Sequence, residues 1–246
     1  MDLRELNPTI GLTHWYYQTK FLALQHLVRD AGGWPSSQAT PHVLVDVGAG
    51  SGIFTKAFLR TLPASSKEAY AVDPAYPDPF LKVEEGVRFV RAFPGTPAPT
   101  GLLLLDVLEH VDNDLDFLKA WVALGARGSL FVLTVPAFRF LWSDHDVFLG
   151  HKRRYTLPEI ERLARDAGLV VLKSRYLFAA IVPVAVLLRK VVGPATRWMG
   201  IRRSQGIQPA HPLVNMLLTH LFRIEVALGS ANRLCGLSCL VVAKKP

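Results

Sequence analysis

The chain has 246 residues, half of them apolar, with 28 lysines and arginines against 20 acidic residues and a formal net charge of +8. That apolar content excludes a disordered chain, and two cysteines are too few for a disulfide scaffold. No stretch reaches the roughly 18 uninterrupted apolar residues of a spanning helix, yet a mean hydropathy of +0.24 and a pI of about 9.7 predict an apolar, basic surface suited to an anionic partner.

The opening residues lack a basic-then-apolar leader, and Cys235 and Cys239 read as reduced core residues four apart on one strand face. Together these predict a cytoplasmic location. Residues 12–31 have helical spacing, with Leu12, Trp15, Tyr16, Phe21, Leu24, Leu27 and Val28 on one side and Gly32 and Gly33 at the end. This segment reads as part of an N-terminal helical lid over residues 1–40, with Trp15 and Tyr16 as substrate contacts.

The stretch His42–Gly52 reads HVLVDVGAGSG. An apolar β-branched run that stops at a glycine-rich turn predicts a buried parallel strand and a tight turn. Glycine lets a ligand approach the backbone closely, so a ligand is expected at the carboxyl end of this strand. Ser51 is placed to cap a helix from about residue 52 to 61. Further strands are predicted at Glu68–Asp73, Gly86–Arg91, Leu102–Asp106, Gly128–Val135, Leu169–Tyr176 and Leu237–Lys244. Helices are predicted at Asn113–Leu124 and Thr156–Ala167, the second with Thr156 as N-cap and Gly168 as its stop.

Trp142–Thr156 reads as a polar loop bearing Asp144, His145, Asp146 and His151. About 60 residues separate the last two strands, too many for a structureless loop. Tyr176–Val192 is apolar, Arg197, Arg202 and Arg203 follow, and Pro212–Gly229 is a predicted helix with Asn215, Thr219 and Arg223 on one narrow polar stripe. Alternating strands and helices imply a parallel sheet covered on both faces.

The glycine spacing is neither the dinucleotide fingerprint nor the P-loop. The ordered set D-x-G-x-G-x-G, then Asp73, then DVLEHV (Asp106–Val111), then VPAF resembles class I S-adenosylmethionine (SAM) methyltransferases, and more narrowly the bacterial branch found with glycan, lipid or quinone biosynthesis. The resemblance spans residues 10–176 and the last strand. It implies an α/β, Rossmann-like, seven-stranded sheet with strand seven antiparallel and helices on both faces. One methyltransferase domain would cover 1–246, with an apolar helical insertion at 177–232. SAM is the implied cofactor.

By the same resemblance Asp46, Gly48, Ala49, Gly50 and Gly52 hold the methionine end of SAM, and Asp73 with Pro74 the ribose. Asp106, Val107 and Leu108 face the cofactor from the neighbouring strand end. Ala92-Phe93-Pro94 stands where such enzymes often carry a polar residue for adenine.

The catalytic candidates are His110, His145 and His151, because an imidazole suits proton removal near neutral pH. Glu109, Arg153, Arg154 and Tyr155 are expected on the acceptor, the arginines as a phosphate clamp beside Lys152. Asp106, Glu109 and His110 also resemble an acid-x-x-Glu-His pattern that can bind a divalent cation, but no metal ligand is expected.

The favoured reading is O-methylation of a lipid-linked or glycan-type hydroxyl, with peripheral contact at an anionic membrane. The alternative is a soluble methyltransferase for a phenol or quinone precursor. A nucleic-acid partner is not expected, since no N-P-P-[YF] follows strand four. The apolar insertion could also carry a homodimer contact.

Overall fold

The computed structural model describes residues 11–35, 42–62, 67–188, 209–228 and 231–246. The strands are β1 (His42–Val47), β2 (Lys67–Val72), β3 (Val83–Glu84), β4 (Val87–Val90), β5 (Gly101–Leu105), β6 (Leu130–Pro136), β7 (Val170–Leu177) and β8 (Ser238–Lys244). They form one eight-stranded sheet in the order β3-β4-β2-β1-β5-β6-β8-β7. β4, β2, β1, β5 and β6 run parallel. β8 is antiparallel to both its neighbours, which returns β7 to the direction of the parallel set. The carboxyl end of β7 therefore lies on the same edge of the sheet as those of β1, β2 and β5.

The predicted α/β sheet with an antiparallel last strand is what forms. The eighth strand is β3, a two-residue partner of β4 in an antiparallel hairpin turned at Glu85 and Gly86, both at positive φ. Two residues are too short a run to show a period.

The helices are α1 (Trp15–Asp30), α2 (Ile53–Thr61), α3 (Asp114–Leu124), α4 (Asp144–Leu149), α5 (Leu157–Asp166), α6 (Val182–Leu187) and α7 (Pro212–Leu228). One core layer joins the sheet to α1, α2 and α7 through Tyr17, Leu24, Phe58, Phe222 and Val226. The other joins it to α3 and α5 through Leu118, Val122, Ile160 and Ala164. The central strands are buried along their length up to Pro136 of β6, as a sheet covered on both faces requires. Asn113 caps α3, and Thr156 with Glu159 forms the capping box of α5.

Three local expectations change. Ser51 does not cap α2. The N-cap is Gly52 in the left-handed region (φ 68°), which turns the chain straight into the helix and leaves the buried Ser51 hydroxyl without a hydrogen-bond partner. Cys235 lies before β8 and is half-buried, so only Cys239 is a core residue; both are free thiols.

Trp142–Thr156 is not an open loop. Residues Asp144–Leu149 form α4, with a Ser143–Asp146 capping box at its start and Gly150 at positive φ at its end. The polar run hides those capping signals, because Asp146 supplies a cap and a buried charge at once.

α7 carries apolar residues on both its inward and its outward faces. Asn215, Thr219, Phe222 and Val226 face the protein, with Asn215 accepting from Trp15 N–H and donating to the Thr13 carbonyl. Leu213, Val214, Met216, Leu217, Leu221, Ile224 and Leu228 are exposed, as are Val184, Leu187 and Leu188 at α6. The Glu225 carboxylate accepts from the N–H groups of Ala179 and Ala180, tying α7 to the segment that leaves β7. Arg197, Arg202 and Arg203 lie outside the described residues. No helix among the described residues is long and apolar enough to cross a membrane.

Candidate active site

The glycine turn follows β1 with Gly48, Gly50 and Gly52 at φ of 65°, 52° and 68°. A Cβ on Gly48 would stand 2.7 Å from Val107, and one on Gly52 2.7 Å from the Phe89 ring, so the turn is closed to larger residues. Gly48 N–H and Ala49 N–H donate to the Val72 carbonyl, and Gly50 N–H donates to Asp73 Oδ2 at 3.2 Å. The other Asp73 oxygen accepts from Ala75 N–H. Tyr76, which sequence reasoning passed over, donates its hydroxyl to the Gly50 carbonyl at 2.6 Å; burial pushes its phenol well above the usual range.

A cavity of about 690 Å³ opens at the carboxyl ends of β1, β2, β4 and β5. Gly48, Asp73, Arg91, Asp106 and His110 bring polar groups to it, and Pro74, Val107, Phe93, Phe117 and Trp121 are apolar parts of its wall. This volume falls in the range of small-molecule and cofactor sites. Ala92 and Phe93 occupy the wall beyond β4 beside Arg91, and Phe93 packs near Trp121 there.

Asp46 sits beneath this cavity rather than in its lining. It is buried and accepts from the Thr55 hydroxyl at 2.6 Å. Burial raises its pKa from 3.8 to about 6, with Asp73 adding to the rise and Thr55 and Lys20 opposing it. Asp106 follows β5 at φ 57°, a left-handed conformation that aspartate tolerates better than most residues. It accepts from Thr134 at 2.9 Å and pairs with Lys20. Burial opposes its charge, but the Lys20 ammonium holds its pKa down at about 2.

Lys20 was not foreseen. It stands among the apolar residues of α1, is 1% exposed, and its ammonium lies 5.8 Å from the ring centroids of both Tyr16 and Phe54. Its position in the stripe Tyr16–Lys20–Ala23–Leu24–Leu27 was the available signal, a lone cation on an apolar helix face.

The three candidate histidines part company. His110 lines the cavity. His151 stands behind it, ring centroids 4.7 Å apart, with Nδ1 2.8 Å from Asp146 Oδ1. His145 is half-buried on α4 and outside the cavity lining, so the structure does not bring it to the site.

Arg154 is buried. It bonds through Nε and a terminal nitrogen to Asp146 at 2.7 and 3.1 Å, and through the other nitrogen to the Ala137 carbonyl. Tyr155 is buried, with its hydroxyl donating to Asp114 at 2.7 Å and lying 3.2 Å from the Leu108 carbonyl. Neither residue is available as an acceptor contact, and Arg153 is held by Asp114 and the Asp112 carbonyl. Arg153 and Arg154, expected as a phosphate clamp, are instead engaged by Asp112, Asp114, Asp146 and the Ala137 carbonyl.

Trp15 and Tyr16 are likewise committed to packing. Trp15 stacks on Phe222 at 5.4 Å and Tyr16 on Phe178 at 5.2 Å. Glu109 is fully buried and its carboxylate makes no hydrogen bond to another residue.

A family model described as a methyltransferase domain matches residues 15–174, well over half the chain. The chain belongs to this family. It is a SAM-dependent methyltransferase, and the glycine turn, Asp73 and the cavity between them are the features of this chain that suit the cofactor. The volume admits a nucleoside with an amino-acid tail, Gly48 lines its wall, and Asp73 offers a carboxylate to it.

The fold of this methyltransferase is shared with solved structures of low sequence identity. One is a Burkholderia thailandensis 1,6-didemethyltoxoflavin-N1-methyltransferase with bound 1,6-didemethyltoxoflavin and S-adenosylhomocysteine (TM-score 0.50, 18% identity, 94% of this chain and 80% of that one). Another is the plantazolicin methyltransferase BpumL (0.53, 11%, 93% and 84%). A third is a SAM-dependent methyltransferase from Thermotoga maritima (0.50, 16%, 94% and 93%). No curated protein matches the sequence significantly.

Proposed function

We propose that this methyltransferase acts on a hydroxyl of a lipid-linked, glycan-type acceptor presented at an anionic membrane surface. The observation that carries this reading is the outward apolar face of α7 and α6. Those elements adjoin the end of β7, which shares its sheet edge with the cavity. An acceptor whose lipid portion lies along α6 and α7 presents its head group to that edge. A net charge of +8 favours approach to an anionic surface.

Bound SAM supplies an electrophilic methyl carbon on a sulfonium. The chain's own part is to hold donor and acceptor in line. The Gly48–Gly52 turn would carry the methionine end, the Asp73 carboxylate would accept from the ribose hydroxyls, and Phe93, Phe117 and Trp121 would enclose the adenine. His110, the one candidate histidine in the cavity wall, would position the acceptor hydroxyl.

The test is co-sedimentation with phosphatidylglycerol vesicles, together with transfer from labelled SAM to a lipid extract. Binding to the vesicles and label in the organic phase are expected. Replacing Leu217 and Leu221 with glutamate should abolish both while SAM affinity stays unchanged. Label confined to the aqueous phase, or vesicle binding indifferent to those substitutions, refutes the proposal.

A further inference from the structure

Glu109 is the least explained group in the molecule. It is fully buried in the turn Leu108–His110, and neither carboxylate oxygen is hydrogen-bonded to another residue. Its charged surroundings offer no relief. Lys20, the side-chain cation beside it, is already paired with Asp106. A buried ionised carboxylate without a partner costs several kcal/mol, so such a group either keeps a proton or meets a cation.

The structure supplies the rest of a cation site. The carboxylate of Glu109 and one ring nitrogen each of His110 and His151 lie within 4.8 Å of one another. With His151 Nδ1 engaged by Asp146, the lone pair left to coordinate is that of Nε2. A carboxylate behind a ligating imidazole is the usual outer support of a metal-bound histidine, because it fixes the ring and raises its basicity. Asp146 is itself held in place by Arg154 and the Ser143 cap, so this support is rigid.

We propose that Glu109, His110 and His151 bind one divalent transition-metal ion of the Zn²⁺ class at the edge of the cofactor cavity. Two imidazoles and one carboxylate are borderline donors, which suit Zn²⁺ better than the all-oxygen shell preferred by Mg²⁺ or Ca²⁺. Bonds of about 2.0–2.2 Å set neighbouring ligand atoms about 3.3 Å apart, so closure from the present spacing takes small side-chain rotations.

Three protein ligands leave a fourth position open. His110 reaches the cavity wall, so an ion held there borders the space in which an acceptor hydroxyl would sit. Asp106 is not a member of the cluster, because Lys20 and Thr134 occupy its oxygens. The set therefore differs from the Asp106–Glu109–His110 pattern legible in sequence, and it reverses the expectation of a metal-independent protein.

The site can be tested on the full chain without any methyl-transfer assay, so its failure is separable from failure of the lipid-acceptor reading. Protein stripped with EDTA is titrated with CoCl₂, followed by visible absorption, and with ZnCl₂ by calorimetry. One ion per chain is expected, with intense bands of tetrahedral Co²⁺ that Zn²⁺ displaces. Glu109→Gln keeps the shape and removes the charge, and His151→Ala removes a ligand. Each should weaken Zn²⁺ binding about 100-fold or more, at least the upper end of what loss of an outer-shell partner costs.

Zn²⁺ should raise the melting temperature of the wild type and leave that of Glu109→Gln unchanged. The proposal is overturned if the stripped protein binds no Zn²⁺, or if Glu109→Gln, folded by its own melting curve, binds Zn²⁺ as tightly as the wild type.

Discussion

Asp46 gives the sharpest test of the electrostatics under the glycine turn. Burial raises its pKa from 3.8 to about 6. A carboxyl with a raised folded-state pKa binds more protons folded than unfolded. Its contribution is most favourable below about pH 4, where both states are protonated, and is lost as pH rises to about 6. A pKa rise of about 2 corresponds to about 3 kcal/mol of destabilisation at neutral pH, at 1.36 kcal/mol per pH unit.

Asp46→Asn keeps the side-chain shape and an oxygen to accept from Thr55, while removing the charge. In guanidinium denaturation without SAM, the stability of Asp46→Asn relative to wild type should improve by about 2–3 kcal/mol between about pH 4 and about pH 8. Most of that change should fall between about pH 4 and about pH 6. A relative stability that is flat across this window would show that Asp46 is not held against its charge, and the reasoning would fail. The same substitution tests whether the turn tolerates a neutral residue beneath it, since SAM affinity can be read on the same protein.

Two further outcomes are expected. Asp73→Asn should weaken SAM binding by about 10- to 100-fold in calorimetry, because hydrogen bonds to a charged group contribute about 1.5–3 kcal/mol each; unchanged affinity would remove Asp73 from the cofactor site. Arg154→Met should lower stability by about 3–5 kcal/mol, because it removes the cation paired with the buried Asp146 carboxylate and leaves it only the Ser143 and His151 contacts. A melting temperature within a degree or two of wild type would contradict the internal role of Arg154.

Much of the fold was legible because its signals are local. Strands stop at glycines and acids, and caps such as Asn113 and Thr156 stand at helix starts. The cofactor half of the site was legible for the same reason, since its backbone turn and its carboxylate lie on successive strand ends. The acceptor half was not. Arg154 and Tyr155 look like surface groups until Asp146, Ala137, Leu108 and Asp114 are seen around them. Two strand-length residues at Val83 and Glu84 carry no period at all.

The amino-acid order by itself determined the alternation of strand and helix, the glycine turn after β1 and the acids that end the neighbouring strands. Each of these depends on propensity or backbone freedom within a few residues. Only the tertiary structure decided which charges meet. Lys20 reaches Asp106 across 86 residues of chain, and Glu109 and His110 lie beside a histidine some 40 residues further on. It also decided that α7 turns Asn215 and Thr219 inward beside Phe222 and Val226, and Leu213, Leu217, Leu221 and Leu228 outward. Burial and pairing depend on what the fold brings alongside, and no spacing within a single element encodes that.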